Sequence, residues 1–397
     1  MSVTYFIEKN LRWEEGSVKS AEFNGSSWLL FVQFPVRNSK CPFCHHKHAH
    51  IKDYRDQNVL LGFWNTHAVF ATIHKRRFIC PCCHKSFYED IPNLAPYQRR
   101  TEEMKKLILF SCAELRSFSD IARSNGVSVS TVIRYFDQLV LSKPPALPEV
   151  LSLDEFRGNT HGQRYQVALN NPETHTVLDI LPKRNTLALI QYFMQYSRKE
   201  RLKVKFIVMD LSKLFRKVVK TVFPNAVIIG DRFHIQRLVL WALERVRKTV
   251  QAKFKEGGIY FKRNKYILNK RGKSLKPEEL VCLHEILKQS PQLKRAYALK
   301  EAFYNVYAMK NKKDVEKFLT TWLELVKESG LEEFQSIIRT FKEWKNEILE
   351  GLTRVYSNGF TEGMNNKIKV LKRIAFGYRN FKRFRRRILF ACMVKFC

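Results

Sequence analysis

Three aspartates in this sequence stand at the ends of apolar, strand-like runs. Asp154 closes "VLSLD", Asp210 closes "KVKFIVMD" and Asp231 closes "NAVIIGD". Continuous Val, Ile and Leu without alternation mark strands buried on both faces, so each acid sits beside desolvated material. Carboxylates gathered at such a place repel one another unless a cation neutralises them. Hard oxygen ligands suit Mg²⁺ or Mn²⁺, and two such ions roughly 3.5–4 Å apart activate the attacking oxygen and stabilise the leaving oxygen of a phosphodiester. A fourth acid, Glu362, opens the helical run "TEGMNNKIKVLKRI". There Glu362, Asn365, Asn366 and Lys369 follow i, i+3, i+4, i+7 spacing on one face, while Met364, Ile368 and Leu371 form an apolar stripe. Such a face offers a ligand, two amides and a cation to one phosphate. A first-turn glutamate favoured by the helix dipole gives the same local pattern.

A second chemistry belongs to sulfur. Cys41-Pro-Phe-Cys44 and Cys80-Pro-Cys-Cys83 are two C-x-x-C pairs, and five of the nine cysteines fall between 41 and 83. Two thiolates from each of two tight turns close a tetrahedral, structural Zn²⁺ site. Cys82, His45, His46, His48 and His84 stand near enough in sequence to substitute as ligands. "HKRRF", 74–78, sets Arg76 and Arg77 beside this module, where they suit DNA backbone contact or a solvated basic face.

Next comes "SFSDIARSNGVSVSTVIRYFDQL". Ser119 is expected to cap a short helix bearing Ile121 and Ala122, and Asn125-Gly126 supplies the turn. Ser128 or Ser130 then opens a second helix with Val132, Ile133 and Phe136 buried. This helix-turn-helix pattern directs Ser128, Ser130, Thr131 and Arg134 toward a major groove.

Stepping outward from these residues, the chain has 397 positions, 71 Lys+Arg against 37 Asp+Glu, and a formal net charge of +34. That excess implies a polyanionic partner, with nucleic acid first. The 45% hydrophobic and 13% aromatic content supports real cores, and no apolar run is long enough to span a membrane. The amino terminus does not read as a signal peptide, so a cytoplasmic protein, nucleoid-associated when bound to DNA, is expected. Residues 367–387 carry ten Lys or Arg and no acid, interleaved with Phe376, Tyr378, Phe381 and Phe384. Lys372, Arg373 and Arg379 are the backbone-tracking candidates there.

The elements that must position the acids follow in order. After a proline-rich linker at 141–150, three strands form a meander and two α/β units succeed them. That order is the order of an RNase H-like fold, in which the first and fourth strands are parallel neighbours. It would bring Asp154 and Asp210 together. The expected fold is a multidomain α+β chain. It comprises a zinc-ribbon-like module at 1–95, a helix-turn-helix at 96–140, and an RNase H-like α/β core at 151–235 and 351–397. An all-helical insertion at 236–350 interrupts that core.

Taken together, "CPFC…RRFICPCCHKSFYE", the helix-turn-helix, "LSLDEF", "IIGDRFHIQR" and "TEGMNNKIKVLKRIAFGYRNF" resemble the DDE transposases of bacterial insertion sequences, specifically the ISL-three family. The resemblance implies a catalytic triad of Asp154, Asp210 and Glu362 holding two Mg²⁺ (or Mn²⁺) ions. Asp231 competes with Asp210 as second ligand, and Asp231 with His234 fits a supporting pair. It further implies strand cleavage followed by strand transfer, with double-stranded DNA (terminal inverted repeats and target) as partner and a homo-oligomer assembled on it. Two other classes use the same parts: a non-catalytic sequence-specific DNA-binding protein, and an RNase H-like nuclease without strand transfer.

Overall fold

The computed structural model describes residues 3–36, 40–95, 97–254 and 258–394. The chain divides into two units. One comprises Met1–Leu141, Arg373–Phe376 and Phe390–Cys397; the other comprises Ser142–Lys372 and Gly377–Leu389. Mixed α/β architecture with two sheets results, and among the described residues no helix is long and apolar enough to cross a membrane.

The first unit starts with helix α1 (Val3–Leu11). Strands β1 (Val18–Phe23), β2 (Ser27–Val32), β3 (His50–Trp64), β4 (His67–Ile79) and β5 (Ser86–Tyr88) follow. Their order is β1-β2-β4-β3, with β5 also on β4. Asn65 and Thr66, at φ 43° and 78°, make the two-residue turn of the β3–β4 hairpin, a conformation that matches the strands' twist. One sheet face buries Val32, Val59, Ala71 and Ile73 with Trp13 and Phe34.

At the hairpin's open end His50 pairs with Ile79, which draws the two cysteine turns together. The turns repeat each other. The His45 N–H donates to the Cys41 carbonyl at 2.9 Å and the His84 N–H to the Cys80 carbonyl at 3.0 Å. The Sγ atoms of Cys41, Cys44, Cys80 and Cys83 all lie within 4.8 Å of one another. Cys41–Cys83 is 3.6 Å and Cys44–Cys80 is 3.5 Å. Zn–S bonds of about 2.3 Å in a tetrahedron set sulfurs about 3.8 Å apart, so the cluster fits zinc. Cys82 is exposed, and it and the four nearby histidines lie outside the group.

Arg76 departs from expectation. It is 4% exposed, pairs with Glu89 at 2.8 Å and donates to the Phe34 carbonyl at 2.8 Å. Its charge is spent inside the module, because Glu89 on the segment after β5 meets it across the sheet. Arg77 remains half-buried beside Asp53, at 3.4 Å.

Helices α2 (Glu102–Ser111), α3 (Phe118–Ser124) and α4 (Val129–Asp137) complete the unit. The cap of α3 is Ser117, in a reciprocal box with Asp120, and not Ser119, because Asp120 at the third position can return the bond. Gly126, at φ 58°, turns the chain, and Ser128 caps α4. Val132 and Phe136 are fully buried with Ile121; Ile133 is only half-buried.

The second unit is built on β6 (Val150–Phe156), β7 (Gln166–Asn171), β8 (Thr176–Leu181), β9 (Phe206–Met209) and β10 (Val227–Gly230). Helices α5 (Thr186–Met194), α6 (Arg198–Leu202) and α7 (Lys213–Val222) lie among them in sequence. The sheet order is β10-β9-β6-β7-β8. The three strands β10, β9 and β6 are parallel, and the meander β6-β7-β8 is antiparallel. Leu151, Leu153, Ile207, Met209 and Ile228 bury toward α5 and α7, while Val150, Val208 and Ile229 form a separate cluster on the opposite face.

Then come α8 (Arg232–Lys253), α9 (Gly258–Arg263), α10 (Lys265–Asn269), α11 (Pro277–Lys288), α12 (Pro291–Phe303), α13 (Lys312–Glu328), α14 (Glu332–Glu343) and α15 (Lys345–Thr353). They share one hydrophobic cluster with the sheet, from Leu151 to Leu352. The last helices are α16 (Gly359–Ile374) and α17 (Phe381–Met393). In α17, Phe384 is fully buried and Arg387 is 1% exposed, whereas Phe376 before it is fully exposed. Arg385 pairs with the buried Asp179 at 2.5 Å.

The seam between α15 and β10 is backbone on backbone. A Cβ at Gly351 would overlap the Gly230 carbonyl, and one at Gly230 would sit 2.9 Å from the Glu347 carbonyl oxygen. Gly351→Ala is therefore expected to cost roughly 2–3 kcal/mol, read as a lowered urea midpoint. Metal removal is expected to act on the other unit: chelation should open the cysteine module to protease while residues 142–372 stay protected. Unchanged protection of the module would contradict a structural metal there.

Candidate active site

Register places the aspartates. Leu153 pairs with Met209, and Met209 with Gly230, across three parallel strands. One residue further, Asp154, Asp210 and Asp231 fall in one row. Strand alternation gives them the parity of Val150, Val208 and Ile229, away from α5 and α7. Asp154 does not end its strand as expected. β6 continues to Phe156 against β7; what stops after Leu153 is its parallel partner β9. Asp154 thus has β7 on one side and the open end of β9 on the other.

Helix α16 lies over this row. Its buried residues are Thr361, Asn365, Ile368 and Leu371, not the expected stripe of Met364, Ile368 and Leu371, since Met364 is only half-buried. The reason is a polar floor. Ser152 donates to Asn358 at 2.6 Å and meets the Thr361 hydroxyl at 3.0 Å, and Asn170 donates to Thr361 at 3.1 Å. Asn365 donates to Asp154 Oδ2 at 2.6 Å, from 211 positions away in sequence. Asn365 therefore grips a carboxylate rather than facing outward with Glu362.

The cleft between α16, the strand ends and the helical block has a volume of about 590 Å³. Asp154, Asp210, Asp231, His234, Glu362, Asn365 and Lys369 all line it. Glu362 and Lys369 are exposed on its rim. Asn366, which accepts from Lys369 at 3.3 Å, is not part of the lining. Neither are Lys372, Arg373 and Arg379; the Lys372 ammonium donates to the Arg157 carbonyl at 2.9 Å. In the other unit Ser130 and Arg134 are exposed on α4, but Thr131 is 8% exposed and bonded to the Ser128 hydroxyl at 3.0 Å, so it serves the helix cap.

His234 Nδ1 is 2.7 Å from both Asp210 Oδ1 and Asp231 Oδ2. The ring N–H lies between two acceptors, and Asp210 Oδ1 keeps an ion-pair contact with it. Asp231 takes it, and its Oδ1 accepts from the Asn358 N–H at 3.3 Å. Asp231, 2% exposed, is thus satisfied within the fold, whereas Asp210 Oδ1 has only its contact with the His234 ring. Burial works against a charged His234 ring, but the bonds to Asp210 and Asp231 prevail and lift it to about 9. Burial, and after it the Asp210 charge, push the Asp154 carboxyl up to about 7.

Sequence reasoning missed part of the lining. Gln236, Arg237, Arg271, Tyr304 and Tyr307 reach the cleft from α8 and the helical block, and Glu155, paired with Arg184, reaches it from β6. Amphipathic spacing identified those helices, but nothing in it distinguished a polar face toward a cleft from one toward water.

Because Asp154 holds its proton more tightly in the folded chain than in the unfolded one, its contribution to stability is present at acid pH and lost as pH rises through about 7. In chelator, Asp154→Asn is expected to raise the unfolding free energy at pH 8 by about 2 kcal/mol. The gain should shrink by more than half at pH 5. A variant no more stable than wild type at pH 8 would contradict the buried, repelled carboxylate.

Similarity to known proteins agrees with this geometry. A family model described as a transposase matches residues 151–388. One described as the helix-turn-helix domain of transposase family ISL3 matches residues 89–140. The chain is 24% identical over 324 residues to the transposase for insertion sequence element IS1001 of Bordetella parapertussis, covering 79% of this chain and 78% of that one. It is 23% identical over 257 residues to the transposase for insertion sequence element IS1557 of Mycobacterium tuberculosis, covering 58% and 57%. A stretch of 113 residues, 28% of this chain and 34% of the relative, is 40% identical to a Lactococcus lactis protein named an ATP-dependent protease.

Proposed function

The chain belongs to the ISL3 family of transposases, and from this premise we propose that it cuts and rejoins DNA at a divalent-metal site held by Asp154, Asp210 and Glu362. The observation that carries the proposal is the shared cleft. Carboxylates from two parallel strands and from α16 line one cavity of about 590 Å³ in a protein of net charge +34. The sheet order β10-β9-β6-β7-β8 supports an RNase H-like core, with residues 151–235 and 351–397 as its parts and 236–350 as a helical insertion.

Among the described residues, the ligand atoms of Asp210, Asp231 and His234 lie within 4.8 Å of one another, and Asp154 and Glu362 line the same cleft. Asp210 Oδ1 is buried with only an ion-pair contact to His234, and burial, then the Asp210 charge, hold the Asp154 proton well above the usual carboxylate range. Asp154, Asp210 and Glu362 would hold two Mg²⁺ or Mn²⁺ ions, which supply activation of the attacking oxygen and stabilisation of the leaving one. Asp210 is favoured over Asp231 as ligand, since both oxygens of Asp231 are already engaged by His234 and Asn358. His234 and Asp231 act as a supporting pair that fixes the edge of the site. Asn365 orients Asp154, and Lys369 on the rim draws a phosphate toward the acids. The reaction is hydrolysis that frees a 3′-OH, followed by attack of that 3′-OH on target DNA, with no covalent protein intermediate.

Zinc on Cys41, Cys44, Cys80 and Cys83 would fix the amino-terminal module. That module and the helix-turn-helix would read the element's terminal repeats, through Arg77, Ser128, Ser130 and Arg134. Asn366, Lys372, Arg373 and Arg379 would contact the DNA backbone. Pairing two ends requires a homo-oligomer on DNA.

A strand-transfer assay tests the reading, using Mg²⁺ and a duplex bearing the repeats that flank the coding region. Joined product is expected; nicks alone would indicate a nuclease, and binding without cutting a repressor. Glu362→Gln should keep DNA affinity while lowering cleavage by roughly 10³-fold. Persistent cleavage would remove Glu362 from the site.

A further inference from the structure

The helix that carries His234 also carries a feature the metal site leaves unused. Phe233 and Trp241, on α8, are 47% and 50% exposed. Arg237 stands between them, its guanidinium carbon 5.5 Å from the Phe233 ring centroid and 4.6 Å from that of Trp241. The spacing i, i+4, i+8 aligns the three side chains on one face of the helix. What sets this pair of exposed aromatics apart is the chemistry they border. Phe233 and Arg237 line the cleft that holds the acids. Arg237 and Trp241 line a neighbouring cleft of about 450 Å³ that also reaches Asp210 and His234. The ladder is therefore the ridge between two clefts that meet at the acid cluster.

Arg237 points independently to an anion. Its Nε is buried yet has no hydrogen-bond partner among the described residues. A guanidinium fixed between two rings, with an idle donor beside a phosphodiester site, is placed to donate to a phosphate oxygen. The flanking ring faces then offer stacking to bases, and only unpaired bases expose a face for it. We propose that Phe233, Arg237 and Trp241 form a binding subsite for unpaired nucleotides next to the phosphate to be cut. Arg237 holds a backbone phosphate there, and the two rings stack the adjoining bases. The proposal rests on the assignment of the acid cluster as the DNA-cutting site.

Binding in EDTA separates the two. The full chain is titrated against fluorescein-labelled oligo(dT) of 15 nucleotides and against a 15-base-pair duplex, with anisotropy as readout. Phe233→Ala/Trp241→Ala is expected to weaken oligo(dT) binding by about 10- to 100-fold and duplex binding, served by the amino-terminal modules, by less than twofold. Arg237→Ala should weaken oligo(dT) binding and flatten its salt dependence, and Trp241→Phe should retain most of the affinity. Wild-type protease protection of residues 142–372 shows that the variants are folded. Unchanged oligo(dT) affinity in the double variant would overturn the proposal, and a loss of self-association in its place would make the ridge a contact between copies of the chain. The metal-dependent cleavage assay with wild-type protein is read separately. Failed cleavage with aromatic-dependent oligo(dT) binding would discard the acid assignment and leave the ridge as a strand-binding site.

Discussion

Repulsion among carboxylates aligned by strand register is the constraint on which the rest of the second unit depends. The pairing of three parallel strands stops at one level, at Leu153, Met209 and Gly230, and the next position of each is an aspartate. Alternation turns all three to the same face. The fold treats them differently. Asp231 is neutralised by the ring N–H of His234 and the Asn358 backbone. Asp154 is steadied by an amide and retains its proton to about pH 7. Asp210 keeps only an ion-pair contact with the same ring. A protein with 71 Lys and Arg could have compensated this charge with a cation of its own. It does so in part, through the His234 ring set between Asp210 and Asp231, while Lys369 stays on the rim of the cleft. The repulsion left over falls on Asp154, whose carboxyl is pushed up by burial and by the Asp210 charge, at the expense of stability.

Helix α16 converts that row into a site. It comes from the far end of the chain, yet it is seated by hydrogen bonds to Ser152, Asn170 and Asp154 rather than by an apolar stripe. Hydrogen-bonded polar floors specify one position and orientation more sharply than hydrophobic contact does. The helical block contributes in turn. Its cluster is continuous with that of the sheet, and the close α15–β10 seam anchors the block behind Asp231. Its residues Arg271, Tyr304 and Tyr307 can therefore form a fixed wall of the cleft.

Much of this was legible in the sequence, for identifiable reasons. Buried parallel strands leave continuous apolar runs, so Asp154, Asp210 and Asp231 stood out at their ends. Paired C-x-x-C turns and an Asn-Gly turn between short helices have little else to be. What could not be read depends on partners distant in sequence. Register is invisible in a single strand: strand order favours Asp210 over Asp231, but the engagement of Asp231 by His234 and Asn358 was not legible. Asn365 has helical spacing compatible with both the open face and the buried one, and only the polar residues beneath α16 decide between them. Arg76 reads as part of a basic surface run until Glu89, 13 positions on, closes over it. Helix α8 showed its amphipathic period but not that Phe233, Arg237 and Trp241 border a cleft.

The most direct measurement is the anomalous scattering of crystals of the full chain soaked in Mn²⁺. The account predicts manganese between the Asp154 and Asp210 carboxylates, facing Glu362. Manganese bound by Asp231 and His234 alone, or a cleft that takes up none at millimolar concentration, would contradict it.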